Sequence, residues 1–159
     1  MELGTAHIVL TSRSSKVKIY EVQELQKRLI RLLEVRDGTA ISVKCCDRCD
    51  NDEVCSFLKK VCEKYAIINK LIYASGFIDV RLIMKENKTT REVFGTHEKV
   101  AWLLHKYILI NNLDNITVFS SVSALLGNFG QTNYSTSNKY IDILIRYRRS
   151  LNYSGISIQ

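Results

Sequence analysis

Residues 115–159 read NITVFSSVSALLGNFGQTNYSTSNKYIDILIRYRRSLNYSGISIQ, and the order of elements in them decides the fold. Asn115 to Ser120 is a short apolar run of the kind that makes a buried strand. From about Asn133 to Ser150 the pattern predicts a helix, and Gly155 to Gln159 begins a further strand. Short apolar strands alternating with helices of ten or more residues indicate a parallel sheet with helices over both faces.

Upstream the alternation repeats. His7 to Thr11 (HIVLT) reads as a strand ending in the polar cluster Ser12-Arg13-Ser14-Ser15. Val22, Leu25, Leu29, Leu32 and Leu33 form a helical stripe closed by Asp37-Gly38, and Ala40 to Lys44 is a second strand. Asp50 or Asn51 caps a helix that runs to about Tyr65. Lys70 to Ala74 is a third strand, stopped by Ser75-Gly76, and a long helix spans about Thr90 to Ile110. The fold class is therefore α/β, a doubly wound parallel sheet in one domain, residues 1–159. Such sheets bind ligands at the carboxyl ends of their strands. The first strand arrives after six residues and the last stops as it begins. The expectation is a partial domain, lacking the strand and phosphate loop that would come first.

Composition narrows the class less sharply. The chain has 159 residues, 46% hydrophobic and 25% charged, as in an ordinary globular protein. No apolar run approaches the ~18 residues of a membrane span, and Met1 to Ala6 lacks the pattern of a secretory signal. A net charge of +7 allows an anionic partner. The basic run Arg146, Tyr147, Arg148 and Arg149 is read as a solvated face of the last helix, not as a nucleic-acid site. Of the cysteines, only Cys46 and Cys49 have metal-pair spacing, Cys45 and Cys55 add no second pair, and Cys62 falls on the apolar stripe of Val54, Phe57, Leu58, Val61 and Tyr65. Reduced thiols in a cytoplasmic protein, with no metal site, are the reading these spacings favour.

The chemistry sits in residues 118–149. Ser121 precedes Tyr134 by thirteen residues (134 − 121 = 13), and Asn138 follows it by four (138 − 134 = 4). With the surrounding FSS, LLGNFGQTNY and YRRS segments, this pattern resembles the ketoreductase domains of polyketide synthases and animal-type fatty acid synthases. Those domains belong to the short-chain dehydrogenase/reductase superfamily, with a Rossmann-like fold. They carry asparagine where the rest of that superfamily has lysine. The resemblance covers essentially the whole chain. It implies NADPH as cofactor, with Ser12 and Arg13 toward the 2′-phosphate, Asp47 toward the adenine, and Ala74, Ser75 and Gly76 beside the cofactor. It further implies a catalytic set of Ser121, Tyr134 and Asn138. In this reading Tyr134 donates a proton to the carbonyl oxygen that receives the hydride, and Ser121 hydrogen-bonds that oxygen. A phenol, with an unperturbed pKa of about 10, needs a nearby cation for this.

The family supplies that cation as a lysine twenty-four residues before the serine, where this sequence has His97 (121 − 24 = 97). His97 shares a helical face with Val93, Val100 and Leu104, whereas Lys99 faces elsewhere. No Gly-x-Gly-x-x-Gly occurs among the seven glycines. Neither sequence mark of product stereochemistry is present: Ile78-Asp79-Val80 lacks a second acid, and residue 126 is leucine, not tryptophan. The resemblance implies a β-ketoacyl thioester reductase. It would work on an acyl chain held by the phosphopantetheine of an acyl carrier protein, among neighbouring synthase domains. The alternative is a ketoreductase-like module, or inactive fragment, with a structural role. Taken alone, the 159 residues are expected neither to bind NADPH tightly nor to reduce a ketone, since the phosphate loop is what would hold the pyrophosphate.

Overall fold

The two apolar runs nearest the amino end pair with each other. The computed structural model describes residues 7–12, 40–47, 50–65, 68–74, 98–107 and 114–159. In it β1 (His7–Ser12) and β2 (Ala40–Cys45) run parallel, from His7 beside Ala40 to Ser12 beside Cys45. They belong to the first of two units, Met1–Arg48, and everything below belongs to the second, Cys49–Gln159. The helical stripe from Val22 to Leu33 lies outside the described residues, as do Arg13, Cys49, Ser75, Gly76, residues 78–80 and His97.

The second unit opens with α1 (Asn51–Lys64). Its cap is Asp50, whose Oδ1 accepts from the backbone N–H of Asp52 at 2.9 Å and of Glu53 at 3.1 Å. That satisfies two of the amides a helix start leaves open. Val54 and Leu58, four apart, form its buried stripe, while Phe57, Val61, Cys62 and Tyr65 are half-buried. Strand β3 (Lys70–Tyr73) follows, then α2, whose described part is 98–107. Strand β4 (Asn115–Phe119), the short α3 (Ser123–Leu126), α4 (Thr132–Ser150) and β5 (Ile156–Ile158) complete the unit. The strands lie in the order β3-β4-β5, all parallel. The architecture is α/β with parallel sheets, and the elements end within a residue or so of where the apolar runs end.

Side-chain alternation gives the three-stranded sheet two different faces. On one lie Tyr73, Ile116 and Val118, all buried. Here α4 packs so closely that a Cβ on Gly155 would meet Ile116 Cγ2 at 3.2 Å and Ile145 Cδ1 at 3.3 Å. On the other lie Ile72, Phe119, Ile156 and Ile158, exposed by 68, 45, 47 and 42%. Among the described residues, α4 is the helix packed on the first of these faces. The alternation that buries Ile116 and Val118 beneath α4 turns Ile72 and Phe119 to the opposite side. Among the described residues, no helix is long and apolar enough to cross a membrane.

Candidate functional site

The carboxyl end of β4 is tied to its neighbours by one serine. Ser120 donates its backbone N–H to the Ile158 carbonyl of β5 at 2.7 Å. Its hydroxyl reaches the Asn138 carbonyl of α4 at 3.4 Å. The next residue, half-buried Ser121, is thereby set against the turn of α4 that follows Tyr134. Its Oγ shares a hydrogen bond with Ser123 Oγ at 2.9 Å and accepts from the Ser123 backbone N–H at 3.2 Å, which starts α3. Gly130, at φ 68°, makes the left-handed turn that delivers the chain to α4.

The first turns of α4 are held by their own side chains. Asn133 Oδ1 accepts from the Tyr134 N–H at 2.8 Å. Thr136 and Ser137 donate to the carbonyls of Thr132 and Asn133 at 2.7 and 2.8 Å. Asn138, 2% exposed, donates its amide to the Tyr134 carbonyl at 2.9 Å. Tyr134 itself is half-buried, in the first turn. The Ser121 end of the β4–α4 connection is thus tied through Ser120 to Asn138, which is bonded to Tyr134. The loop between them is apolar and open: Leu125, Leu126 and Phe129 are 65, 77 and 84% exposed.

The residues expected to meet a cofactor fall at strand ends, each within its own unit. In the first unit Ser12 closes β1 and Asp47, half-buried, follows β2. In the second, exposed Ala74 follows the buried Tyr73 at the end of β3. Arg13, Ser75, Gly76 and His97 lie outside the described residues. Val100 and Leu104, expected on one helical face, are buried at 4 and 8%. Burial, and to a lesser degree Glu63, pushes the Cys62 thiol up, which disfavours the thiolate a metal would need.

One expectation is corrected. Arg148 does not belong to a solvated face: it is 1% exposed, while Arg146, Tyr147 and Arg149 are exposed. Its guanidinium bonds to His105 of α2, itself 2% exposed. The signal was present in the spacing, since Ile141, Leu144, Ile145 and Arg148 stand at i, i+3, i+4 and i+7. Asp142, four residues after Asn138 and 4% exposed, was also missed. It accepts from Ser157 Oγ and from Gln159 Nε2, the latter at 2.8 Å, and so fixes the carboxyl end of β5. Its inward position, too, follows from the same helical period.

Comparison with known proteins adds an independent line. The family model for the KR domain matches residues 1–159. Phenolphthiocerol synthesis polyketide synthase type I Pks15/1 of Mycobacterium marinum is 30% identical over 156 residues, 98% of this chain and 7% of that protein. A solved ketoreductase domain from the bacillaene assembly line is 29% identical with a TM-score of 0.77, covering 95% of this chain and 36% of that one. An N-terminal ketoreductase from the macrolactin assembly line is 25% identical with a TM-score of 0.80, over 96% of this chain and 31% of that one. The chain therefore spans a small fraction of the synthase and about a third of each ketoreductase chain.

Proposed function

The chain belongs to the KR domain family, and on that footing we propose that it takes part in reducing a β-ketoacyl thioester, carried on an acyl carrier protein within a multidomain synthase, with NADPH as reductant. The observation that carries the reading is the Ser120–Asn138 hydrogen bond, which sets Ser121 beside the turn that bears Tyr134 and Asn138. A small, exposed alanine at the end of β3 would let a ligand approach the backbone there. When bound, NADPH supplies the hydride.

The chain's own residues have three tasks. The Tyr134 phenol donates its proton to the ketone oxygen as negative charge gathers there. The Ser121 hydroxyl gives that oxygen a second hydrogen bond, its proton being free for this when Ser123 Oγ is the donor between the two serines. Asn138, bonded to the Tyr134 carbonyl, holds the turn on which the phenol stands. Ser12, Arg13 and Asp47 are assigned to the adenosine part of NADPH, and Ala74, Ser75 and Gly76 to the part nearer the reaction. His97 is assigned the place of the cation that eases proton release from Tyr134. An imidazole, with an unperturbed pKa of about 6.5, fills it best at the acid end of the physiological range.

The test is a Tyr134→Phe substitution in the protein that contains this chain, assayed with an acetoacetyl thioester by loss of NADPH absorbance. Reduction should fall by at least about a hundredfold, the usual scale for a lost general acid, with NADPH binding unchanged. A companion His97→Lys substitution should raise the rate most at alkaline pH. A phenylalanine variant that keeps its rate would defeat the assignment. Absence of both NADPH binding and turnover in the unaltered protein would favour a structural module, the reading suggested by His97 and by the lack of any Gly-x-Gly-x-x-Gly.

A further inference from the structure

Two buried groups have no part in that chemistry: His105 of α2 and Arg148 near the carboxyl end of α4, exposed by 2 and 1%. Arg148 Nη1 lies 3.0 Å from His105 Nδ1. A guanidinium only donates, so Nδ1 must present its lone pair. The imidazole is thereby fixed as the neutral tautomer with its proton on Nε2. The other arm of the guanidinium goes to one carbonyl, with Nε and Nη2 donating to Ser154 O at 3.4 and 3.3 Å. The hydroxyl of Ser154 in turn donates to the Asp114 carbonyl, just before β4. One arginine thus joins α2, α4 and the turn that leads into β5.

A second proton on His105 would remove the acceptor it offers Arg148 Nη1 and set two cations side by side in a buried place. Burial first, and the Arg148 charge second, hold the histidine's proton affinity below its ordinary value. Among the described residues, no negative charge is found to offset this. Arg148 and Tyr147 face it from α4, Tyr153 of the turn covers Arg148 with its ring 5.6 Å from Cζ, and on its own helix the Trp102 ring lies tilted by 46° with centroids 5.3 Å apart.

We propose that His105 and Arg148 form an acid-sensitive latch, in which neutral His105 docks the carboxyl end of α4 and the turn before β5, and protonated His105 releases them. Because the carbonyl of Ile158 in β5 also receives the Ser120 N–H, release of this turn loosens the backbone that carries Ser121. The pH window follows from the direction of the shift. The unfolded chain takes up its histidine proton near pH 6.5, whereas the folded chain takes it up lower. Stability is therefore complete above about 6.5 and is lost as pH falls from there toward the depressed folded value.

The 159-residue chain and a His105→Asn variant would be unfolded with urea at about pH 7.5, 6.5 and 5.5, a span above the ordinary carboxylate range. Asparagine keeps an acceptor near the place of Nδ1 but does not titrate. For the unaltered chain the unfolding constant should rise by up to about tenfold per pH unit below 6.5, the limit for one proton, while that of His105→Asn should change by less than about threefold over the whole span. His7 and His97 are common to both proteins and cancel. Equal pH slopes would overturn the latch, and so would the lack of any cooperative transition at pH 7.5, since nothing would then be held. If the asparagine variant does not fold, the His105 ring resonances of the unaltered chain decide: neutral shifts until unfolding begins support the latch, and titration near 6.5 within the folded spectrum overturns it.

Discussion

In its first two turns α4 directs hydroxyl and amide groups back onto its own carbonyls, whereas in its last two turns it sends a guanidinium across to another helix and to the turn beyond. Thr136, Ser137 and Asn138 each bond four residues back, a pattern that competes with nothing distant and slightly weakens a helix. Ile141, Leu144, Ile145 and Arg148 are buried between 0 and 7%. The amino end is thus arranged locally, leaving Tyr134 half-buried, and the carboxyl half carries the packing. Chemistry and stability are divided along one helix, and substitutions should separate them.

The largest expected effect is at the packed half. Ile145, whose Cδ1 and Cγ2 crowd Gly155, is 3% exposed. Ile145→Ala should destabilise the chain by about 2–5 kcal/mol in urea or thermal unfolding, the range for a buried aliphatic cut back to a methyl. Tyr134→Phe, at the other end, should cost less than about 1 kcal/mol. A reversed order would break the comparison, since the amino end would then be a packing element.

An intermediate effect belongs to Arg148. Arg148→Met keeps much of the apolar stem but leaves His105 Nδ1 and the Ser154 carbonyl without their donor. A loss of about 2 kcal/mol is expected, from the penalty of buried polar groups left unpaired. Chemical denaturation of the variant checks it. A gain in stability would mean that desolvating the cation costs more than its bonds return, and would move the weight of this half entirely onto the isoleucines.

How much of this was legible beforehand depended on the range of the signal. The strand runs from Lys70 and from Asn115 were read to within a residue of β3 and β4, because a buried strand's apolar run and its end are both local. The Ser121–Tyr134 spacing is read instead through a family resemblance. The Ser120–Asn138 bond joins a strand end to a helix across a loop, and no period marks it. Arg148 was a different failure: its inward position follows from the repeat that includes Ile141 and Ile145, but a run of three arginines and a tyrosine was read by charge. His105, four residues after buried Ala101, could have been placed inward by that period as well. Its meeting with Arg148, forty-three residues away, could not.

The smallest effect concerns how the two helices begin. Asp50 caps α1 with a carboxylate, and Asp50→Ala should cost about 1 kcal/mol. The residue before α4, Gln131, makes no side-chain cap, and its ψ of 29° is far from the extended value that lets a cap reach the second and third amides. Gln131→Asp should therefore gain only the attraction of a carboxylate for the helix start, about 0.3 kcal/mol at low salt and less at high salt. The same charge would stand three residues before Tyr134 and make its phenol a weaker acid. In the proposed reaction this variant should be slightly more stable yet slower, with the deficit shrinking as salt screens the charge. Thermal unfolding and ketone reduction, each measured at two salt concentrations, would check both halves. A rate that rises together with stability would show that the open start of α4 serves no catalytic purpose.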